Sequence, residues 1–471
     1  MSDIPPMMSA MVLKEFGRLV PRELPTPDPA ADEVLVRVEV CGVCRTDLKI
    51  LHGDHPDVPA ARLPHVLGHE ITGHVVAAGA AAEVPAEVRA EVPAAGGRVV
   101  VPLSLTCGEC AQCRRGADQF CAAMRGRPGF TVAGGFAEYI AVPARSVVPV
   151  PAHVPAASAA LLPDCISTAW HAMRRGRVVA GDRAVVLGAG GLGLHAVQFL
   201  VNAGAHVVAV EPDAAKRDLA VRLGASGALD SAAGTDDDVL RDDLRRLLGE
   251  RDEHEPSPAD IVLDFVGDGS SGTRATGWLA PGGRLLLVGY QAGTEVRLET
   301  VAAVSSELQV IGCRASTLAD LDEATLMLAE GKVRAMIGRT YPFAAASDAL
   351  ADLAAGDVLG RAIVEVGGPV DLRYGFGYYG PPAAAHPHDR TQERCGASRR
   401  GRPATRARTS SPPARSNVAG AHKRHHAPPQ RARTSRRPTP PGVMVDNQPA
   451  VAVPLPWKST RPFDPAGRSW S

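Results

Sequence analysis

Short apolar runs recur through the middle of the chain and predict strands that alternate with helices. Strands are predicted over 184–187, 207–210, 261–266, 284–288 and 308–311. Short runs that are mainly apolar are typical of strands covered on both faces, as in a parallel sheet between two layers of helices. The pattern therefore predicts an α/β domain with a doubly wound parallel sheet over 166–313.

The flanking segments have a different texture. Strand-like runs such as 34–40 are separated by Gly and Pro turns, which predicts a mostly-β region before the central sheet. After that sheet, helices are predicted over 318–330 and 344–353, and a last strand over 361–366. Residues 77–97 are an Ala, Val, Pro and Glu run that we expect to be an exposed loop.

The C-terminal segment is compositionally distinct from the rest. Residues 368–471 are rich in Pro, Arg, Ser and His and have no apolar period, so a disordered tail is predicted there. The formal net charge of the whole chain is +0, but residues 371–471 hold 18 Lys and Arg against 5 Asp and Glu. Nucleic-acid or membrane binding could therefore come only from this tail, and an extension without a fixed role is the simpler interpretation.

Length and hydropathy indicate a globular protein. The 471 residues suffice for two or three domains, and 45% of them are hydrophobic. No apolar run reaches the roughly 20 residues that span a bilayer, and the N-terminus lacks the regions of a signal peptide. We therefore expect a cytoplasmic protein without a membrane partner.

Four cysteines fall within one short segment at the spacing of a metal site. Cys107, Cys110, Cys113 and Cys121 offer four thiolates, the set that closes a tetrahedral zinc site with no open position. An iron–sulfur cluster could use the same ligands, and unligated thiols are the simplest alternative. The spacing predicts a structural zinc, which would fold a loop without taking part in chemistry.

A glycine-rich turn follows the first predicted strand of the central sheet. Gly188, Gly190 and Gly193 fit the G-x-G-x-x-G pattern, with Gly191 and Leu192 between them, and a helix is predicted over 192–201. Such glycines let the backbone approach a pyrophosphate at a helix N-terminus. Glu211 ends the next strand and could accept hydrogen bonds from the adenosine ribose. Its carboxylate would repel a 2′-phosphate, which favours NAD over NADP, although Lys216 and Arg217 lie one helical turn away.

The order of these motifs carries a resemblance. Cys44-Arg45-Thr46-Asp47, then Gly68-His69-Glu70, then the four cysteines and the glycine-rich turn resembles the zinc-dependent alcohol dehydrogenase family of the medium-chain dehydrogenase/reductase superfamily, over 11–367. The resemblance implies a GroES-like, mostly-β catalytic domain at 1–165 that contains the structural zinc lobe 104–124. It further implies a Rossmann NAD-binding domain at 166–313 and a return segment of the catalytic domain at 314–367, followed by the tail.

The same resemblance implies a second, catalytic zinc. Cys44 and His69 would bind it, and the third ligand would come from Asp164 or Cys165. Counting back from Thr168 favours Asp164, and carboxylate oxygen is an acceptable zinc ligand. Glu70 would be an acidic neighbour of the metal, and Asp47 would orient His69. His52, His55 and His65 match no position of the family and are expected to be loop residues.

Further residue roles follow only from the resemblance. Thr168 and Leu192 would support the nicotinamide ring, Lys216 would lie near the ribose and Arg361 near the pyrophosphate. Thr46 would pass the proton of the alcohol towards solvent. Many members have a His five residues after the catalytic Cys, where this chain has Lys49, so its amine or water would complete the relay.

The sequence thus predicts an enzyme that transfers a hydride between an alcohol and NAD, with two zinc ions per chain. Leu103 and Trp170 are expected to line the pocket, which favours a secondary, cyclic or otherwise apolar alcohol. A hydroxyacyl-CoA-type or cyclic-alcohol dehydrogenase, a zinc-free quinone reductase and a zinc-containing nucleic-acid-binding protein are the alternatives. The family implies a homodimer or homotetramer.

Overall fold

The computed structural model describes residues 4–83, 97–231, 236–249 and 258–369. All of these lie in one unit, Met1–Gln392. Most of the predicted loop at 77–97 and nearly all of the predicted tail lie outside the described residues. The domain boundaries after residues 165, 313 and 367 stay predictions.

The described strands form three sheets. Their bounds are β1 (Met7–Glu15), β2 (Arg18–Pro25), β3 (Glu33–Val43), β4 (His65–Val66), β5 (Glu70–Ala78), β6 (Arg98–Val101), β7 (Tyr139–Pro143), β8 (Val148–Pro149), β9 (Arg183–Leu187), β10 (His206–Val210), β11 (Gly227–Leu229), β12 (Ala259–Asp264), β13 (Leu279–Leu287), β14 (Gln309–Gly312), β15 (Ile337–Pro342) and β16 (Arg361–Glu365).

The described helices are α1 (Arg45–His52), α2 (Ala111–Arg114), α3 (Ala156–Ala159), α4 (Ser167–Arg175), α5 (Gly191–Asn202), α6 (Ala214–Arg222), α7 (Asp237–Leu248), α8 (Ser270–Thr276), α9 (Thr300–Ser305), α10 (Leu318–Ala329) and α11 (Ala346–Ala355). A π-helical turn, Leu162–Ile166, precedes α4 directly. In the part of the chain that the structure describes, no helix is long and apolar enough to span a bilayer.

The central sheet has six parallel strands in the order β11-β10-β9-β12-β13-β14. This is the 3-2-1-4-5-6 order of the dinucleotide-binding fold, in which the ligand crevice lies at the carboxyl ends of the strands, where the order reverses. Ala184 and Val186 of β9 pack into one apolar cluster, whereas Val185 and Leu187 pack into another on the opposite face. The doubly wound α/β prediction is therefore confirmed.

One predicted strand is too long. Residues 261–266 were expected as a strand, but β12 ends at Asp264, and Val266 is 46% exposed. The carboxylate of Asp264 accepts hydrogen bonds from the backbone N–H groups of Val266 and Gly267 at 2.8 and 3.0 Å. This local turn competes with the sheet ladder and ends the strand.

The second large sheet is mostly antiparallel and is built from both ends of the described chain. Its order is β15-β16-β3-β5-β6-β8, and β7 also pairs with β3. β16 pairs with β3 in antiparallel fashion, so Ala362 lies opposite Val43. This pairing brings Arg361 to the start of α1, and the mostly-β prediction for this region is confirmed.

Candidate functional site

The four predicted structural cysteines converge in one lobe. The Sγ separations are 4.0 Å for Cys107 to Cys113, 3.5 Å for Cys110 to Cys113 and 3.9 Å for Cys110 to Cys121. A tetrahedral zinc with Zn–S bonds of about 2.3 Å requires separations of about 3.8 Å. All four are free thiols, so the donor set and its spacing fit a zinc ion.

Backbone amides prepare these sulfurs to carry negative charge. The N–H groups of Glu109 and Cys110 donate to the Cys107 sulfur, and the N–H of Cys107 donates to the sulfur of Cys121. Hydrogen bonds from the backbone lower the pKa of Cys110 to about 6, whereas burial and the neighbouring thiols raise the pKa of Cys113 to about 12. The backbone hydrogen bonds therefore lower the pKa of Cys107 and of Cys110 and favour their thiolate forms.

The glycine-rich turn lies between β9 and α5, at the crevice of the parallel sheet. Gly188 has φ of +85°, which favours glycine, and a Cβ on Gly193 would lie 1.9 Å from the Gly188 carbonyl oxygen. The turn therefore needs glycine at both positions, and this leaves the N-terminus of α5 free for an anion.

Glu211 supports this turn from β10. Its Oε2 accepts a hydrogen bond from the Ala189 N–H at 2.8 Å, and the residue is only 6% exposed. The two nearby cations are already paired, Lys216 with Asp213 at 3.6 Å and Arg217 with Asp230 at 3.2 Å. Neither Lys216 nor Arg217 is therefore left as an unpaired cation beside Glu211.

A second cluster of side chains that could hold a metal ion lies at the start of α1 and the end of the loop before β5. One ligand atom from each of Cys44, His69, Glu70 and Asp164 lies within 4.8 Å of the other three, and all four residues are buried. The Oδ2 atom of Asp164 lies 3.5 Å from the Cys44 sulfur and 3.8 Å from His69 Nε2. These separations fit the edges of a tetrahedron of sulfur, nitrogen and oxygen around one zinc ion.

Asp47 ties together the two segments that carry Cys44 and His69. Its Oδ2 accepts from the Cys44 N–H at 2.8 Å, and its Oδ1 accepts from the Gly68 N–H at 3.3 Å. The same Oδ1 faces His69 Nδ1 at 3.2 Å, which directs the other ring nitrogen towards Asp164. This proximity is compatible with the predicted role of Asp47 in orienting His69, and that role stays a prediction.

The structure separates the two candidates for the third ligand. Asp164 points into the cluster, and its Oδ1 accepts a hydrogen bond from the Thr168 hydroxyl at 3.2 Å. The neighbouring Cys165 thiol points instead to the Leu161 carbonyl, 3.5 Å away, and does not belong to the cluster. The π-helical turn Leu162–Ile166 sets these opposite directions.

Arg361 connects the cluster to the nucleotide turn. Its guanidinium is buried, donates to both oxygens of Glu70 through Nε at 2.9 and 3.0 Å, and donates through Nη2 to Asp164 Oδ2 at 2.8 Å. A Cβ atom added at Gly191 would lie 2.9 Å from Arg361 Nη1, so the guanidinium reaches the glycine-rich turn. The sequence placed Arg361 near a pyrophosphate but missed its contacts with the acidic residues, because they lie hundreds of positions away along the chain.

Burial and charge shape the electrostatics of this cluster. Burial raises the pKa of Glu70 to about 8, although Arg361 opposes this shift. The pKa of Asp164 is held well below its usual range against the effect of burial, by His69 and Arg361. Asp47 and Asp164 overcome the burial of His69 and raise its pKa well above the ordinary value. The cluster thus contains more acidic groups than basic ones, an arrangement that would stabilise a cation.

Two predicted site residues lie elsewhere or act differently. Trp170 does not face the cluster, because its ring packs 5.2 Å from that of Phe199 and its Nε1 donates to Glu323 at 2.7 Å. The expectation that Trp170 lines the pocket is therefore wrong. Lys49 donates to the Tyr290 carbonyl and lies 4.1 Å from the centre of its ring. His52, His55 and His65 are absent from both cysteine-containing clusters of the described residues. The expectation that they are loop residues is confirmed for His55 but wrong for His52, which ends α1, and for His65, which lies in β4.

Comparison with known proteins agrees with this geometry. Residues 30–152 match the alcohol dehydrogenase GroES-like domain, and residues 191–330 match the zinc-binding dehydrogenase family. An alcohol dehydrogenase of Geobacillus stearothermophilus is 30% identical over 363 residues, which cover 76% of this chain and 100% of that protein. The chain belongs to the zinc-dependent alcohol dehydrogenase family. It is therefore an oxidoreductase, with the GroES-like and Rossmann-type domains that the sequence predicted.

Solved structures of this family align over most of the described chain. Acetophenone reductase from Geotrichum candidum in complex with NAD has a TM-score of 0.66 at 27% identity and covers 77% of this chain and 98% of that chain. A zinc-binding dehydrogenase from Sinorhizobium meliloti bound to NADP has a TM-score of 0.66 at 29% identity. The alignment covers 76% of this chain and 99% of that chain. The family resemblance thus extends to proteins solved with either dinucleotide.

Proposed function

We propose that this chain is a zinc-dependent oxidoreductase that transfers a hydride between an alcohol and NAD. The observation that supports this proposal is the convergence of Cys44, His69 and Asp164 beside the nucleotide turn, with Arg361 reaching from one to the other. A zinc ion held there with an open position would polarise the substrate hydroxyl and make its proton easier to remove. NAD, when bound along the turn, would accept the hydride.

The residues of the chain would divide the work as follows. Cys44, His69 and Asp164 would hold the metal, and Asp47 would keep the first two in register. The Thr46 hydroxyl lies 3.6 Å from the Cys44 sulfur, close enough to accept the proton of an alcohol bound beside it. Glu70 is an acidic neighbour that Arg361 keeps in place.

Gly188, Gly190, Gly191 and Gly193 would bind the pyrophosphate, with Leu192 and Thr168 supporting the nicotinamide. Glu211 would bind the adenosine ribose, and Lys216 would lie near it. The preference for NAD over NADP is supported by the buried Glu211 carboxylate and by the pairing of Lys216 and Arg217 with Asp213 and Asp230. Cys107, Cys110, Cys113 and Cys121 would hold the second, structural zinc.

We further propose that the protein is a homodimer or homotetramer. The strand β14 lies at the edge of the parallel sheet, where Val310 is 44% exposed. Val301 and Val304 of the adjacent α9 are 69% and 78% exposed. An exposed apolar edge of this kind favours pairing with another chain. The cytoplasmic location, the role of the tail and its nucleic-acid alternative stay predictions.

The experiment that tests the proposed function combines metal analysis with a substrate screen. We expect the purified protein to contain two zinc ions per chain and to reduce NAD with at least one member of a panel of secondary and cyclic alcohols. His69→Ala should lose the activity and one zinc while keeping its circular dichroism spectrum. A fully zinc-loaded protein that oxidises no alcohol with NAD or NADP would contradict the proposal.

A further inference from the structure

A group of polar side chains extends from the predicted zinc ligand His69 to solvent. The ring of Phe130 lies 4.9 Å from that of His69, and on its other sides it contacts the His55 ring at 5.2 Å and the Arg127 guanidinium at 4.1 Å. Phe130 is 3% exposed. Arg127 therefore lies one aromatic ring away from the metal cluster.

Tyr290 completes this group from the segment that follows β13 of the parallel sheet. It follows β13 and is 52% exposed, and its hydroxyl lies 3.0 Å from His55 Nε2. Lys49 of α1 donates to the Tyr290 carbonyl and lies over its ring. We call Lys49, His55, Asp57, Arg127, Phe130 and Tyr290 the Phe130 cluster. It brings α1 and the segments around His55 and Phe130 together with Tyr290, which follows β13 of the parallel sheet.

Positive charge exceeds negative charge in the Phe130 cluster. Arg127 pairs with Asp57, and Lys49 has no carboxylate partner among the described residues. Arg314 lies close enough to lower the pKa of Arg127 further, although burial is the main cause of that shift. Burial also lowers the pKa of Lys49. Both cations thus lie in a partly desolvated environment where a second anion would be stabilised.

We infer that the Phe130 cluster binds an anionic group of the substrate, so that the preferred alcohol carries a carboxylate. This inference rests on the proposed function, whose substrate class it narrows. Arg127 is the specificity-determining residue, because the planar guanidinium can bind a carboxylate through two parallel hydrogen bonds. Because the Phe130 ring lies between Arg127 and His69, a carboxylate at Arg127 and a hydroxyl beside the predicted zinc would belong to different ends of the substrate.

A purely structural pair between Arg127 and Asp57 is the competing explanation. The two explanations differ in what the loss of Asp57 does. If the pair only supports the fold, Asp57→Asn and Arg127→Gln should harm the enzyme in the same way. If Arg127 binds substrate, Asp57→Asn removes a competing anion, and the two substitutions should change the preference for acidic substrates in opposite directions.

The test compares each hydroxy acid with its neutral methyl ester. The kcat/KM values for 3-hydroxybutyrate and 6-hydroxyhexanoate, each divided by that for its ester, are measured with the zinc-loaded protein and saturating NAD. We expect at least one acid to exceed its ester in the unsubstituted protein. Arg127→Gln should lower this ratio about tenfold to hundredfold, the loss expected for a charged hydrogen bond. Asp57→Asn should raise it.

Arg125→Gln is the matched control, since Arg125 lies two positions away and pairs with Asp32 and Glu33 instead. It should leave the ratio unchanged, and Arg127→Lys should restore part of it. A ratio below one in the unsubstituted protein, or equal losses for acid and ester in both Arg127→Gln and Asp57→Asn, would overturn the inference.

A binding measurement separates this inference from the proposed function. The zinc-loaded protein is titrated with pentanoate and with pentanamide by calorimetry, neither of which can be oxidised as an alcohol. Pentanoate should bind more tightly, and Arg127→Gln should remove the difference whether or not any alcohol is oxidised. Pentanoate binding that is unchanged in Arg127→Gln would place the anion elsewhere and refute the role of Arg127.

Discussion

The Nη2 atom of Arg361 lies 2.8 Å from Oδ2 of Asp164, the same oxygen that faces the Cys44 sulfur and His69 Nε2. One guanidinium thus holds the predicted third zinc ligand, while its Nε binds Glu70. Because Arg361 begins β16, the pairing of β16 with β3 fixes this guanidinium relative to Cys44. Arg361, near the end of the described chain, therefore positions the predicted ligand Asp164, which lies near the middle of the described chain.

Replacing Arg361 should be costly for folding. Arg361→Met leaves the fully buried Glu70 without its cationic partner, and losing one partner of a buried pair costs about 3–5 kcal/mol. The free energy of unfolding in urea should fall by that amount. Arg361→Lys keeps the charge but loses the contact through two guanidinium nitrogens. Its free energy of unfolding should therefore lie between those of the unsubstituted protein and Arg361→Met. Equal stability of all three proteins would show that the pair does not support the fold.

His195 should make the protein less stable in mild acid. Its Nδ1 lies 2.6 Å from the Gly191 carbonyl, and its Nε2 accepts from the Met336 N–H at 3.1 Å, so the ring is neutral. Burial lowers the pKa of His195 from 6.5 to about 4, and Arg361 is the charged group that adds to this shift. The unfolded chain therefore binds a proton before the folded protein does, and stability falls as the pH decreases from 6.5 towards 4.

The measurement compares His195→Gln with the unsubstituted protein at pH 7.5 and pH 5. Glutamine keeps a donor and an acceptor but does not titrate. The unsubstituted protein should lose about 2 kcal/mol more between these two pH values than the variant does. An identical loss in both proteins would rule out His195 as the source.

Loss of the predicted zinc from the four-cysteine lobe should raise amide hydrogen exchange beyond that lobe as well as within it. Asp118, in the same segment, is 8% exposed and accepts a hydrogen bond from the Leu318 N–H at 3.0 Å, at the start of α10. In Cys110→Ser, amide hydrogen exchange should rise over 104–124 and also over the first turn of α10. Asp118→Ala should raise exchange at α10 alone, with both zinc ions retained. Exchange that rises over 104–124 alone in Cys110→Ser would disprove the link.

Glu211 should govern the choice of dinucleotide. Glu211→Ala should lower kcat/KM with NAD about tenfold, since hydrogen bonds to a charged group are lost, and should improve the relative use of NADP. Glu211→Gln keeps an acceptor for the Ala189 N–H but removes the charge, so it separates support of the turn from repulsion of a 2′-phosphate. A higher kcat/KM with NADP in the unsubstituted protein would contradict the predicted preference.

The sequence predicted those parts of the molecule that depend on local pattern. Five of the six strands of the parallel sheet follow from short, mainly apolar runs, whereas β11 was not predicted because its three residues, Gly-Ala-Leu, form too short a run. The four-cysteine lobe follows from the spacing of its cysteines, as expected for a zinc-binding loop. The turn after β9 needs glycine at Gly188 and Gly193 for steric reasons, and the glycine pattern of the sequence predicts this turn. In each of these cases the interacting residues are neighbours in the chain.

Contacts between distant segments could not be predicted in this way. No pattern in the sequence indicates that Arg361 meets Glu70, or that Tyr290 meets His55, because a sheet pairing and a domain contact bring them together. Trp170 is predicted to line the pocket, but in the structure its ring packs against that of Phe199. Side-chain direction in a helix depends on packing that local pattern does not encode.

Zinc content of two single variants tests the central claim most directly. Asp164 faces Cys44 and His69, whereas the Cys165 sulfur lies 3.5 Å from the Leu161 carbonyl. Mass spectrometry of the purified proteins should find about two zinc ions per chain in the unsubstituted protein and in Cys165→Ala, but about one in Asp164→Ala. Two zinc ions in Asp164→Ala together with one in Cys165→Ala would contradict the account.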